Sequence, residues 1–236
     1  MLTVMYDRIE AFVKLTSDAI GGELTVHSTD LKPVRKKVAR ASKVDIPRPS
    51  CSEVAKYLLS WDTLENYVLQ ESALNKLFFR TYPHNTDIDD VLIKVSTLND
   101  FYSTNIFSPF QVARHIISLD IDDRLKAGDD KLVNDIARVE MTNGTVKNFY
   151  SFATKYCSHH QPLDYPIYDS FVDQLLRYFR DTEGFFQFRN DDLKNYVNFK
   201  AVLFQFRSFY SLEPYNLKEI DKYLWQLGKE RFPRKY

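Results

Sequence analysis

The chain has 236 residues, 44% of them apolar and 15% aromatic, and its 32 basic and 32 acidic side chains balance to zero. That length suits one large domain or two small interlocked ones with a sizeable core, and the few glycines and prolines (6 and 9) argue against a turn-dense all-β fold. Two cysteines, Cys51 and Cys157, are too few for a disulfide framework, a zinc site built from several thiolates or an iron–sulfur cluster. They fit a reducing cytoplasm, and no cofactor is expected.

The start, Met1 to Asp7, lacks the basic segment and long apolar run of a signal peptide. No apolar run approaches the ~20 residues that span a bilayer, so a cytoplasmic protein with no membrane partner is expected. Charge is unevenly spread. Lys32, Arg35, Lys36, Lys37, Arg40 and Lys43 crowd one stretch, the middle is rich in aspartate, and basic residues return from Arg177 to Arg207. Such polarity can turn one side of a molecule toward phosphates; solvated helix faces are the plainer reading.

Residues 1–49 are the least regular and read as a basic N-terminal extension. Weak helical spacing from Val4 to Ile20 stops at Gly21-Gly22, a short strand is expected over 23–27, and Pro47-Arg48-Pro49 makes a stiff joint. Residues 50–236 read as a helical domain. Ser50-Cys51-Ser52-Glu53 has capping-box spacing before Val54, Tyr57 and Leu58. Asp62-Thr63-Leu64-Glu65 resembles a second cap, opening a helical run that Pro83 stops. A third helix is expected from about Asp87 to Tyr102, and Ser108-Pro109 caps a fourth. Short helices over 120–127 and 130–140 are split by Gly128.

Asn143-Gly144 signals a turn. Helical spacing is then expected from Val146 to Cys157, ending at His159-His160-Gln161-Pro162. Asp169 or Ser170 caps the next helix, which Gly184 ends. A long helix is expected over 191–210 and a last one over 217–232. The pattern is all-α, roughly eight to ten helices joined by short loops.

No phosphate-cradling glycine loop, Gly-x-Ser-x-Gly elbow or His-Glu-x-x-His helix occurs. The chemistry that stands out is Lys155, in a buried-looking helix, with Asp169 fourteen positions later at a helix start. An amine beside a carboxylate can attack an electrophilic carbon. A lysine kept neutral by burial is the nucleophile, and the carboxylate, oriented by free helix amides, stabilises a cationic centre. The plain alternative is Lys155 as a snorkelling surface lysine and Asp169 as an N-cap only.

This pair and its context resemble the helix–hairpin–helix DNA glycosylase superfamily, in particular its 8-oxoguanine glycosylase-like branch. Ser151-Phe152-Ala153-Thr154-Lys155-Tyr156-Cys157 falls on that family's Gly-x-Gly-x-Lys-x-Ala segment, and Ile167-Tyr168-Asp169-Ser170-Phe171-Val172 on its aspartate segment. The resemblance covers roughly residues 85–236. Both hairpin glycines are replaced here, and the lysine-to-aspartate loop is shorter than the family's. The resemblance implies two interlocked helical subdomains with a cleft between them.

It also implies a monomeric DNA glycosylase acting on double-stranded DNA with a flipped base, and AP-lyase chemistry through a Lys155 Schiff base. The base would be a damaged purine such as 8-oxoguanine, or a modified cytosine in phage DNA, making the protein a defence enzyme. A flipped base needs stacking and edge contacts, for which Phe107, Tyr102, His160, Gln161, Tyr165, Tyr168 and Trp225 are candidates. Phosphate contacts are expected from Asn143, Gly144, Ser151, Lys36 and Lys37. The alternatives are a non-catalytic DNA-binding module on the same scaffold and an all-α protein-interaction domain.

Overall fold

Side-chain caps fix where half of the described α-helices begin. The computed structural model describes residues 45–233. The basic extension before Asp45, with Lys36 and Lys37, lies outside the described residues. Ser50 accepts from the Glu53 amide and starts α1 (Cys51–Trp61). Asp62, expected to open the second helix, is instead the C-cap of the first; α2 (Glu65–Lys76) follows without a side-chain cap and runs into a π-helical stretch, Leu77–Thr81. Asp87 accepts from the Asp89 and Asp90 amides and opens α3 (Ile88–Tyr102). Pro109 takes the first position of α4 (Pro109–Ser118), where an amide has no intrahelical partner anyway. Two short helices follow, α5 (Asp122–Lys126) and α6 (Lys131–Ala137).

The helix expected from Val146 starts later than its spacing suggests. Residues Val146–Asn148 form a strand, β2, antiparallel to β1 (Arg138–Glu140), with Val139 opposite Lys147. The turn at Asn143-Gly144, with Gly144 at φ 75°, brings the strands together. The hairpin ends where the Phe149 amide bonds the Ala137 carbonyl, and α7 (Tyr150–His160) begins. Asp169 caps α8 (Ser170–Glu183), and a 3₁₀ turn (Asn190–Lys194) precedes α9 (Tyr196–Phe209). A reciprocal Asn216–Glu219 capping box opens α10 (Leu217–Arg231). The described residues are therefore mainly helical, as expected, with one small two-stranded sheet. No helix among them is long and apolar enough to cross a membrane.

α7 is the central element. Every residue of it except Ser151 is buried, with α6 and α3 packed on it. A helix buried all round needs no amphipathic stripe, so its polar side chains, Thr154, Lys155, Ser158, His159 and His160, are all carried inside. α10 packs against α1 and α8. Gly228 permits the second contact: a Cβ there would sit 2.6 Å from the Cβ of Phe171. Because Phe171 is two residues after Asp169, this glycine sets how near α10 lies to the capped start of α8.

Candidate functional site

The first turns of α7 are tied to the residue before the Asp169 cap of α8 through two hydroxyls, those of Ser151 and Thr154. Lys155 is only 5% exposed, and its Nζ donates to Ser151 Oγ at 2.6 Å and to the Ser151 carbonyl at 3.2 Å. Ser151 Oγ donates in turn to the Tyr168 carbonyl at 3.0 Å, and the Tyr168 amide donates to Thr154 Oγ1 at 3.2 Å. Tyr168 immediately precedes Asp169, whose Oδ1 accepts from the Phe171 and Val172 amides at 2.8 and 2.9 Å. The lysine and the aspartate thus sit at the two ends of a short hydrogen-bonded bridge. Tyr102, the last residue of α3, closes the other side: Lys155 Nζ lies 5.2 Å from its ring centroid, and its hydroxyl meets His159 Nε2 at 2.9 Å.

A third helix contributes a carboxyl group that the motif comparison does not point to. Asp221 of α10 is buried, with Lys218 Nζ 3.8 Å from its carboxylate. Burial pushes its pKa up to about 7. Lys218 and Lys155 pull it down, whereas the Asp169 and Glu71 carboxylates push it up. Tyr102 has its hydroxyl turned inward although its ring edge reaches solvent. Burial raises that hydroxyl's pKa, with Asp221, Glu71 and Asp169 adding to the effect. His159 is held well below the ordinary imidazole range by burial first, then by Lys218, His160 and Lys155, so it is neutral. Lys155, Asp169, Asp221, Lys218, Tyr102 and His159 therefore form one electrostatic cluster.

The sequence does carry a signal for Asp221. Leu217, Asp221, Leu224 and Gly228 form one stripe of α10, and all four are buried. A carboxylate inside an apolar stripe is a group whose desolvation must be compensated or used.

Beside this cluster lies a cleft of about 240 Å³. Ser158 and His159 of α7, Lys218 and Lys222 of α10, and the apolar Phe79 and Leu163 line it. Among the described residues no group of three or more His, Cys, Asp or Glu side chains is placed to hold a metal ion.

Several expected site residues have other work. Ser151 and Ala153 lie inside α7 rather than in a hairpin, because the chain reverses earlier, at the β-hairpin. The Ser151 hydroxyl is committed to Lys155 and Tyr168, not open to a phosphate. The Gly144 amide bonds the Met141 carbonyl, and Asn143 accepts from Thr145, so both close the hairpin turn. His160 is buried against Phe78 and Tyr156 and bonds Asn85, and burial lowers its pKa to about 3. Tyr165 is fully buried, stacked on Tyr196. Neither ring is open to a substrate.

The others are more accessible. Phe107 is 92% exposed in the α3–α4 loop. Gln161 is the C-cap of α7. Tyr168 is half-buried, its hydroxyl donating to Asp173. Trp225 packs edge-on against Trp61 and Tyr67 on the side of α10 that faces α1 and α2.

The comparisons with known proteins bear on this arrangement. Residues 53–164 match the HI_0787_N family model, described as an N-terminal domain. An uncharacterized protein of Haemophilus influenzae (strain ATCC 51907 / DSM 11121 / KW20 / Rd) is 51% identical over 151 residues, which cover 64% of this chain and 72% of that protein. The chain belongs to that family. The HI_0787_N match runs from α1 to the loop after α7, so it contains Lys155, Ser158 and His159, while Asp169 and Asp221 lie beyond its end. No solved structure matches the chain.

Proposed function

We propose that this protein is a DNA glycosylase that breaks the N-glycosidic bond of a damaged or modified base flipped from double-stranded DNA. One observation supports the reading: Lys155 and Asp169, the pair on which the resemblance rests, stand at the two ends of the Ser151–Tyr168 bridge, and His159 and Lys218 of the same cluster line a cleft. The same reading treats the helices as a helix–hairpin–helix glycosylase-like pair of subdomains. The longer β-hairpin before α7 would stand where that superfamily has its glycine hairpin.

The chemistry follows from the residues. Excision passes through an oxocarbenium-like sugar, and a carboxylate beside C1′ stabilises that charge. Asp169 supplies it, held in place by two helix amides. The bond from C1′ to the base nitrogen breaks, and its electron pair leaves with the base. A new bond forms from C1′ to Lys155 Nζ or to a water oxygen. The nucleophile gives up one proton and the departing base takes one up. Asp221, titrating at about 7, is suited to relay it. Attack by Lys155 leaves a Schiff base and permits strand cleavage.

The test is a panel of duplexes carrying oxidised, alkylated, deaminated, hydroxymethylated and glucosylated bases, scored for abasic sites. Asp169→Asn is expected to slow base release by roughly 10²–10³-fold while leaving duplex binding intact. Lys155→Gln is expected to abolish the borohydride-trapped adduct. If no duplex in the panel gains abasic sites, the reading is lost. Binding without excision would favour a non-catalytic DNA-binding module, to which the replaced hairpin glycines and the helical Ser151-Phe152-Ala153 segment already point.

A further inference from the structure

Ser158 is 1% exposed and lines the cleft, yet its hydroxyl has no hydrogen-bond partner. A buried unpartnered hydroxyl destabilises the folded state unless something else completes it. In a helix interior a serine commonly bonds a carbonyl one turn back, and this one does not. It sits between Lys155 and the C-terminal end of α7, next to neutral His159.

The rest of the cleft has a consistent character. Its two carboxylates each have one oxygen engaged: Glu71 Oε2 accepts from Lys222 Nζ at 2.8 Å and from Trp61, and Glu219 Oε2 accepts from the Asn216 amide in the capping box. What remains is rich in donors, with Lys218, Ser158 and Asn75 among the lining. Phe79 and Leu163, 47% and 61% exposed, give it apolar walls. Its volume of about 240 Å³ lies below the roughly 300–1,000 Å³ of pockets for drug-sized ligands. A single flat heterocycle fits that description, and a heterocycle with a sugar appended does not.

We propose that this cleft is the binding pocket for the extruded base, that it takes a flat, acceptor-rich heterocycle bearing no glycosyl substituent, and that the Ser158 hydroxyl reads the base's polar edge. This rests on the glycosylase reading for the source of the heterocycle, but not for the binding itself. Lys155 lies one helical turn before His159, and Lys218 faces both the cleft and Asp221. His159 and Lys218 belong to both the cleft and the Lys155–Asp169 cluster, so the proposed base would have its sugar on that side.

The experiment is direct binding of free bases, by titration calorimetry and saturation-transfer NMR. The probes are 8-oxoguanine, guanine, 5-hydroxymethylcytosine and cytosine, with glucosylated 5-hydroxymethylcytosine as the oversized probe. At least one unglycosylated base is expected to bind at a saturable site, and the glucosylated one is not. Ser158→Ala is expected to weaken binding roughly fivefold to tenfold with no loss of thermal stability, since the hydroxyl it removes bonds nothing. Phe79→Ala, at a half-exposed position, is expected to weaken binding roughly tenfold through lost stacking.

Binding that neither variant changes, tighter binding of the glucosylated base, or no binding of any probe to the wild type would each overturn the proposal. The fate of the glycosylase reading is read separately, from abasic-site formation. Base binding without excision keeps the pocket and removes the enzyme; excision without a Ser158 or Phe79 effect does the reverse.

Discussion

Two buried lysines, Lys94 on α3 and Lys155 on the central helix α7 itself, are handled in opposite ways. Lys94 of α3 is fully buried, and its Nζ donates to three neutral oxygens: the Tyr82 carbonyl at 3.1 Å, the His84 carbonyl at 2.7 Å and Asn85 Oδ1 at 2.7 Å. Asn85 Oδ1 also accepts from Tyr156, while the Asn85 amides donate to Asp122. Every strong polar group in that hub has a partner inside the protein. Lys155 has Ser151 on one side, two carboxylates in its electrostatic neighbourhood, and a cleft with an unpartnered hydroxyl beyond. A closed polar network specifies a fold; an unpartnered hydroxyl beside a cleft, here that of Ser158, is where a ligand can supply a missing contact. On the reading proposed above, only the second lysine belongs to a site.

The strongest way to break this contrast is Asn85→Ala. It removes the acceptor shared by Lys94 and Tyr156 and leaves Asp122 with fewer partners, so a loss of roughly 3–5 kcal/mol in urea unfolding is expected. A loss below about 1 kcal/mol would mean the hub is not structural. Gly228→Ala comes next: its Cβ would overlap Phe171, and roughly 1–3 kcal/mol of destabilisation is expected. Base release should fall with it, because Asp221 and the start of α8 are forced apart. An unchanged rate in a folded variant would separate Asp221 from the chemistry.

Asp221→Asn tests the open side through pH. Its folded pKa of about 7 stands above the ordinary aspartate value of 3.8. The native state therefore keeps a proton between those values that the unfolded chain has lost. Stability consequently falls as pH rises from about 4 to 7, and the full penalty is present above 7. The asparagine variant should lose this slope and gain roughly 1–3 kcal/mol at pH 8 relative to wild type. Stability curves that stay parallel across pH 4–8 would contradict it. The smallest effect is expected of Asp169→Asn. Asparagine caps a helix about as well as aspartate, so unfolding should shift by no more than about 0.5 kcal/mol, whatever happens to base release.

The legibility of these elements differs with the range of the interactions behind them. Caps depend on residues two or three apart, and Ser50, Asp87, Asp169 and the glycine at position 184 act where the sequence places them. The helix expected from Val146 gives way to a strand because pairing with Arg138–Glu140, across the Asn143-Gly144 turn, outweighs local spacing. His160 and Tyr165 look like substrate contacts when only their neighbourhood in the chain is considered; burial against Phe78, Tyr156 and Tyr196 makes them core. Asp221 lies 52 positions beyond Asp169, and no local pattern links the two.

What the sequence by itself determines is the helical class, most helix starts, and Lys155 followed by Asp169 on consecutive helices, because propensity, periodicity and capping act within a few residues. The tertiary structure alone decides that α7 is buried all round, that Ser151 is a bridge rather than a hairpin residue, and that Asp221 and the Ser158 cleft stand beside the lysine. The position of Asp221 depends on how close α10 comes to α8, which the missing Cβ of Gly228 permits and no local pattern announces.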